Sequence, residues 1–279
     1  MDELVIIKKI FKEIKKFKIK GLISISLIGS FQYSKKLDYV NDIDLIVLVK
    51  KVTPDLFNLI NKSFNSLIKN FQEGNLKFVV ENRIGPFKPK KLKKKKVIQF
   101  HLLIYDYNRF YEAVKRGNPS RYDWINFNKT IKGKSLSSLF SMGKISKQEL
   151  LKDLKIHLKN IEGKKALTDI YKIKNNEIEL QKKFLKIKKD EYVEMFCFVI
   201  ITNIMNYLRL FKPNLKKDQM IILKEANKIL PYRYYSIIGD AFGYKKRVRS
   251  KKGLTLYELS KFEKEAKEFL RFLIKKIKV

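Results

Sequence analysis

Two carboxylates, Asp42 and Asp44, stand one residue apart where the apolar run Leu45–Val49 begins. The β-branched composition of that run reads as a buried strand. Side chains alternate along a strand, so Asp42 and Asp44 leave from one face, roughly 7 Å apart, and Ile43 leaves from the other. Upstream, a second apolar run, Leu22–Ile28, stops at Gly29-Ser30. Paired carboxylates beside a glycine–serine turn suit a divalent cation that carries a triphosphate, because Mg²⁺ is usually held by one or two carboxylates together with substrate phosphates. Gly29 lets the backbone come close to a phosphate, and the Ser30 hydroxyl and neighbouring amides can donate to it.

Several elements must hold these groups in place. Leu4, Ile7, Ile10, Phe11, Ile14 and Phe17 recur at helical spacing before the first strand. After the second strand, Thr53 as cap and Pro54 at the first helical position open a helix that runs to Glu73. Leu76–Val80 and Val97–Tyr105 read as two further strands, and the lysine-rich stretch 86–96 between them is either a solvated hairpin loop or a phosphate contact. Along Val97–Tyr105, Ile98, Phe100, Leu102 and Ile104 share one face, while Gln99, His101 and Leu103 share the other. Gly and Ser concentrate at 133–143, and from Ser146 onward the periodicity is helical. The helices expected there are Ser146–Asn160, Ala166–Ile187, Glu191–Phe211, Lys216–Ile229 and Leu254–Ile277. The resulting expectation is an α/β (α+β) domain over 1–140, a mixed sheet with flanking helices, followed by an all-α helical bundle over 146–279.

The order Gly29-Ser30, a gap, then Asn41-Asp42-Ile43-Asp44 resembles the nucleotidyltransferase signature of the DNA polymerase beta superfamily, Gly-Ser, about ten residues, Asp-x-Asp. The intervening Tyr33-Ser34-Lys35 is similar to the aromatic, small and basic residues that small members often carry there. The helical second half is similar in architecture to the kanamycin-nucleotidyltransferase-like branch. The resemblance implies transfer of a nucleoside monophosphate from a nucleoside triphosphate, ATP among them, to an acceptor hydroxyl, with release of pyrophosphate. It implies Asp42 and Asp44 as catalytic metal ligands for Mg²⁺ or Mn²⁺. Gly29, Ser30, Ser34, Lys35 and Lys36 would hold the nucleotide. The family usually adds a third carboxylate from a later strand. Here that position reads Phe100-His101-Leu102, so His101 is either a replacement ligand, a phosphate contact or a structural residue. Asp106 and Glu81 are the nearest acids. Glu191 and Glu194 are candidates for a general base, or else surface and capping residues. A catalytically degenerate member that holds RNA or nucleotide is the alternative reading.

The net charge of +35 in 279 residues suits an acidic partner such as RNA, yet the lysines are spread along the chain and AT-rich coding alone would also produce them. Cys197 is the one cysteine, flanked by two phenylalanines, which points to a core thiol and excludes an intramolecular disulfide. No basic-then-apolar leader opens the sequence, and Tyr192–Leu208, the most apolar stretch, is interrupted by Glu194, Asn203 and Asn206. A cytoplasmic protein with no membrane span is expected, with a nucleoside triphosphate and an RNA or protein acceptor as partners.

Overall fold

Helix α1 (Glu3–Lys15) forms because four isoleucines, Ile6, Ile7, Ile10 and Ile14, fall on one face, and all four are buried. Burial of each is worth about 1.5–3 kcal/mol, which is what holds so lysine-rich a helix to the sheet. The computed structural model describes residues 3–32, 42–72, 76–85, 96–188, 191–250 and 252–278. Strand β1 (Leu22–Ile28) and strand β2 (Asp42–Val49) pair antiparallel, with Ile28 opposite Asp44. Helix α2 (Pro54–Lys69) starts as the sequence requires, the Thr53 hydroxyl accepting from the Leu56 amide at 3.3 Å. Strands β3 (Leu76–Glu81) and β4 (Lys96–Asp106) follow, then helices α3 (Tyr107–Lys115) and α4 (Pro119–Asn126). Strand β5 (Lys129–Gly133) and the short helix α5 (Leu136–Leu139) complete this part of the chain.

The five strands form one mixed sheet in the order β3-β4-β2-β1-β5. β2, β4 and β3 run parallel to one another, and β1 is antiparallel to both of its neighbours. The parallel β3–β4 pair corrects one expectation: the connection between these strands is a crossover and cannot be a hairpin loop. Most of its lysines, in 86–95, lie outside the described residues. Alternation sorts the sheet into two faces. Ile25, Leu27, Ile43, Leu45, Val47, Phe100 and Leu102 pack under α1 and α2, and the opposite face carries Ser24, Ser26, Asp42, Asp44, Gln99 and His101.

Further along, the helix expected over Ser146–Asn160 is α6 (Lys147–Gly163), with Ser146 as its cap. The expected helix Ala166–Ile187 is instead a hairpin of strands β6 (Lys165–Lys174) and β7 (Glu177–Lys186). Its turn, Asn175-Asn176, has φ of 50° and 58°, the left-handed pair that a two-residue hairpin needs and that asparagine tolerates. Helices α7 (Tyr192–Arg209), α8 (Gln219–Ile229), α9 (Tyr232–Arg249) and α10 (Leu256–Lys278) make up the helical C-terminal region. Among the described residues, no helix is long and apolar enough to cross a membrane.

The chain forms two compact units. One comprises residues 1–115, 123–141 and 168–183, and holds the sheet and the tip of the hairpin. There the Ile84 and Asp169 backbones exchange hydrogen bonds of 2.9 Å, and the Tyr171 hydroxyl donates to the Ile104 carbonyl at 3.0 Å. The other comprises 116–122, 142–167 and 184–279. Its central helix, α7, is buried along most of its length, and Asn203 of α7 bonds His157 of α6. Cys197 is fully buried there, and burial pushes its thiol up to about 12, so it is the core residue that its flanking phenylalanines suggest.

Candidate functional site

The register between β2 and β4 sets Asp42 beside Gln99 and Asp44 beside His101, and the register between β3 and β4 sets Glu81 beside His101. Parallel neighbours in register point to the same side of a sheet, so Asp44, His101 and Glu81 form one row across three strands at its polar end. His101 is 6% exposed and both of its ring nitrogens are engaged. Nδ1–H donates to Asp44 Oδ1 at 2.9 Å, and Nε2–H donates to the Arg83 carbonyl at 2.7 Å. Since both partners are acceptors, the ring carries two protons and a positive charge. Burial alone would lower its pKa. The Asp44 hydrogen bond and charge, the Arg83 carbonyl and the charge of Asp42 outweigh burial and hold it above the usual histidine value.

The other end of the row is closed by an arginine fork. Arg83 donates through Nε to Glu81 Oε1 at 2.8 Å and through Nη2 to Oε2 at 2.5 Å, and its amide donates to Oε1 at 2.9 Å. Burial pushes the Glu81 carboxyl up, but these bonds, the Arg83 charge and the His101 charge bring it below its ordinary value. Asp44, His101, Glu81 and Arg83 thus alternate in sign along the sheet edge. Asp106, the other nearby acid, accepts from the Arg109 amide at 2.8 Å and opens α3. Glu191, at the N-cap position of α7, makes no capping bond to that helix; its carboxylate accepts from the Lys188 amide ahead of it, at 3.2 Å.

Gly29 explains why a glycine ends β1. Its φ is +73°, a conformation that side chains strain to adopt, and a Cβ there would collide with Asp44 Oδ2 and sit 3.3 Å from its Cγ. The chain therefore turns directly against the Asp44 carboxylate and leads into a single 3-10 turn at Ser30–Gln32. Phe31 anchors that turn, with its ring edge-on to Phe11 of α1 at 6.3 Å. Gly29, Ser30, Asp42, Asp44 and His101 thus gather at one end of the sheet, while Ser34, Lys35 and Lys36 lie outside the described residues.

As donors for a divalent cation, Asp42 and Asp44 suit Mg²⁺ or Mn²⁺ in the way oxygen ligands do, as two protein carboxylates that leave the remaining positions to phosphate and water. His101 has no unprotonated nitrogen to offer in this arrangement, and Glu81 is occupied by Arg83. Among the described residues, no group of three or more His, Cys, Asp or Glu side chains is arranged to hold a metal ion. The sequence did not foretell the part of Arg83, whose carbonyl and guanidinium hold two members of the row. The signal available was Glu81-x-Arg83 at a strand end, where alternation brings both side chains to one face.

No family model matches this sequence, and no curated protein matches it. Among solved structures, the fold is similar to that of a spectinomycin adenyltransferase from Enterococcus faecialis, solved with ATP and spectinomycin, with 15% sequence identity and a TM-score of 0.49 over 99% of each chain.

Proposed function

We propose that this protein is a metal-dependent nucleotidyltransferase, which moves a nucleoside monophosphate from a nucleoside triphosphate, ATP among them, to an acceptor hydroxyl. The observation that carries this reading is the pair Asp42 and Asp44 on one sheet face, with the Gly29 backbone turned against Asp44. In this reading residues 1–140 carry the transfer, and 146–279, apart from the β6–β7 hairpin, form the helical domain. Gly29 and Ser30 hold the terminal phosphates together with Ser34, Lys35 and Lys36. The acceptor hydroxyl attacks the α-phosphorus, its proton passes to water, and pyrophosphate leaves with the electrons of the broken P–O bond. Mg²⁺ or Mn²⁺ at Asp42 and Asp44 supplies charge neutralisation on the phosphoryl oxygens. His101 fixes the Asp44 carboxylate by a charged hydrogen bond, and its other nitrogen is anchored on backbone, so Asp44 is aimed before substrate arrives. The single cysteine, buried and unpaired in any disulfide, suits a cytoplasmic setting.

The test is incubation with α-labelled nucleotides, Mg²⁺ or Mn²⁺, and separate RNA, protein and small-molecule acceptors. Asp42→Asn and Asp44→Asn should each cut transfer by about 10³-fold or more while the protein stays folded, because they remove ligand charge and leave packing alone. Turnover by the double variant at the wild-type rate would sink the reading. One observation favours the alternative of a catalytically degenerate protein that binds nucleotide or RNA: His101 already neutralises Asp44. Nucleotide binding without transfer to any acceptor class would select it.

A further inference from the structure

The Arg83 carbonyl that accepts from His101 Nε2 belongs to the same peptide group as the Ile84 N–H. A peptide group is planar, and in the trans form its C=O and N–H point in opposite directions. Whatever grips the Ile84 N–H therefore sets the direction of the Arg83 carbonyl. That grip comes from β6. The Ile84 amide donates to the Asp169 carbonyl at 2.9 Å, and the Asp169 amide donates back to the Ile84 carbonyl at 2.9 Å. The same Ile84 carbonyl accepts from the hydroxyl of Thr168, a buried residue, at 2.9 Å. Asp169 is anchored in turn by its side chain, which accepts from Arg109 Nη2 at 3.2 Å.

The place of this contact is as telling as its geometry. The β3–β4 ladder ends at Glu81 and His101, so residues 82–84 leave the hydrogen bonding of the sheet just where His101 requires an acceptor. Asn82 is taken up by Asn61 of α2, at 3.0 Å, and Ile84 by β6. The Ile84–Asp169 pair is an isolated bridge with no ladder around it, and it falls on the peptide that holds His101. Hydrogen bonds then run unbroken from the Asp169 carbonyl through the Arg83–Ile84 peptide and the charged His101 ring to Asp44 Oδ1. Each bond in such a chain polarises the next. All of these residues lie in one compact unit. Taking Asp44 as a cation ligand, as proposed above, we infer that Thr168 and Asp169 are positioning residues for it. They fix the Arg83 carbonyl, the carbonyl fixes the His101 ring, and the ring aims the Asp44 carboxylate. Partners of this outer kind set the orientation of a metal ligand without touching the metal.

The test has two readings, neither of which needs turnover. Mn²⁺ alone is titrated and its affinity taken from the paramagnetic resonance of the free ion. The His101 Nε2–H proton, kept from exchange by burial, is read by NMR without metal. The chain has two histidines, and His157→Gln assigns the signal. Thr168→Val keeps the shape of the side chain and loses the hydroxyl. It should move the ring proton upfield and weaken Mn²⁺ binding about fivefold, less than the roughly 10- to 100-fold that a ligand's direct partner carries. Thr168→Ser keeps the hydroxyl and should hold both readings near wild type. Asp169→Ala, cut loose from Arg109, should shift both in the same direction as Thr168→Val. Tyr171→Phe is the control: it removes the hairpin's bond to the Ile104 carbonyl, further along β4, and should leave both readings unchanged. Equal effects in Thr168→Val and Tyr171→Phe, or a ring proton unmoved in Thr168→Val and Asp169→Ala, would overturn the inference. Wild-type protein that binds no Mn²⁺ would instead remove the metal reading, and the ring proton would still decide whether β6 holds His101.

Discussion

Replacing Gly29 by alanine tests whether the turn against Asp44 is the structural centre of the site. Two costs arise. The φ of +73° strains any residue with a Cβ by about 1–2 kcal/mol. The new methyl also overlaps Asp44 Oδ2 and presses on its Cγ, and the glycine side of that contact is backbone, so Asp44 is the group that must turn. Turning it breaks the 2.9 Å bond from the charged His101 ring, worth about 1.5–3 kcal/mol. The sum is about 2.5–5 kcal/mol. Urea unfolding followed by the fluorescence of Trp124, which packs against Tyr105 in the same unit, reads the loss. Gly143→Ala is the control, since a Cβ there meets nothing within 4 Å. If Gly29→Ala lies within about 1 kcal/mol of that control, the close approach of Gly29 to Asp44 is not real, and the reasoning fails with it.

Other perturbations follow from the same contacts. His101→Gln removes the ring's charge and at least one of its two hydrogen bonds, and should cost about 2–3 kcal/mol in urea unfolding; a neutral result would mean that the row on the sheet edge contributes no stability. Asp153 of α6 has its carboxyl pushed up to about 7, first by burial and then by the Glu149 charge, against the opposing pull of Lys152 and Arg121. A folded pKa above the unfolded value of about 4 makes stability full below pH 4 and lets it fall as pH rises to about 7. Asp153→Asn should therefore raise stability at pH 8 by about 4 kcal/mol and leave pH 4 nearly unchanged, as thermal melts across pH would show. An identical shift at both pH values would rule out the carboxylate as the cause.

Strand and helix boundaries were legible wherever one periodicity spoke alone. The helical spacing of Ile7, Ile10 and Ile14 in α1 and the Thr53-Pro54 start of α2 each carry their own local cause, and the structure follows them. The segment 166–187 carried two signals. Lysines and glutamates favour helix, but Tyr171-Lys172-Ile173-Lys174 and Ile178-Glu179-Leu180 alternate, and Asn175-Asn176 between them is hairpin-turn chemistry. Alternation with a turn at its centre prevails because it gives both strands an inward side, from which Tyr171 and Ile178 pack on the sheet core. At the site, strand alternation placed Asp42 and Asp44 on one face; that His101 shares it follows from the β2–β4 register. What alternation cannot show is strand order: only the β3-β4-β2 arrangement brings Glu81 and Arg83 to His101, and this fixes the protonation of the ring. The parallel sense of β3 and β4 was hidden for the same reason, because a basic connection of that length serves a hairpin or a crossover equally well.

That arrangement leads to a last test, of what a histidine does beside Asp44. Asp42, Asp44 and Glu81 face His101⁺ and Arg83 across the row, so the cluster is close to balanced without a cation. His101→Asp replaces a positive charge by a negative one beside Asp44 and leaves the Arg83 carbonyl without its donor, a loss of about 1–3 kcal/mol in the absence of metal. The same change supplies a third oxygen donor next to two others, which a hard cation prefers to imidazole. Stability of the variant should thus become cation-dependent, regaining about 2.7 kcal/mol when free Mg²⁺ reaches 100 times its Kd, while EDTA returns it to the weakened state. His101→Asn, neutral and similar in size to aspartate, separates charge from packing: it should lose the same backbone bond and gain little from Mg²⁺. Calorimetry and thermal melts on the two variants and the wild type decide the matter. If His101→Asp binds Mg²⁺ no more tightly than His101→Asn, position 101 does not face the cation. The row from Asp44 to Arg83 would then be an edge brace of the sheet, and the cation would depend on Asp42 and Asp44 alone.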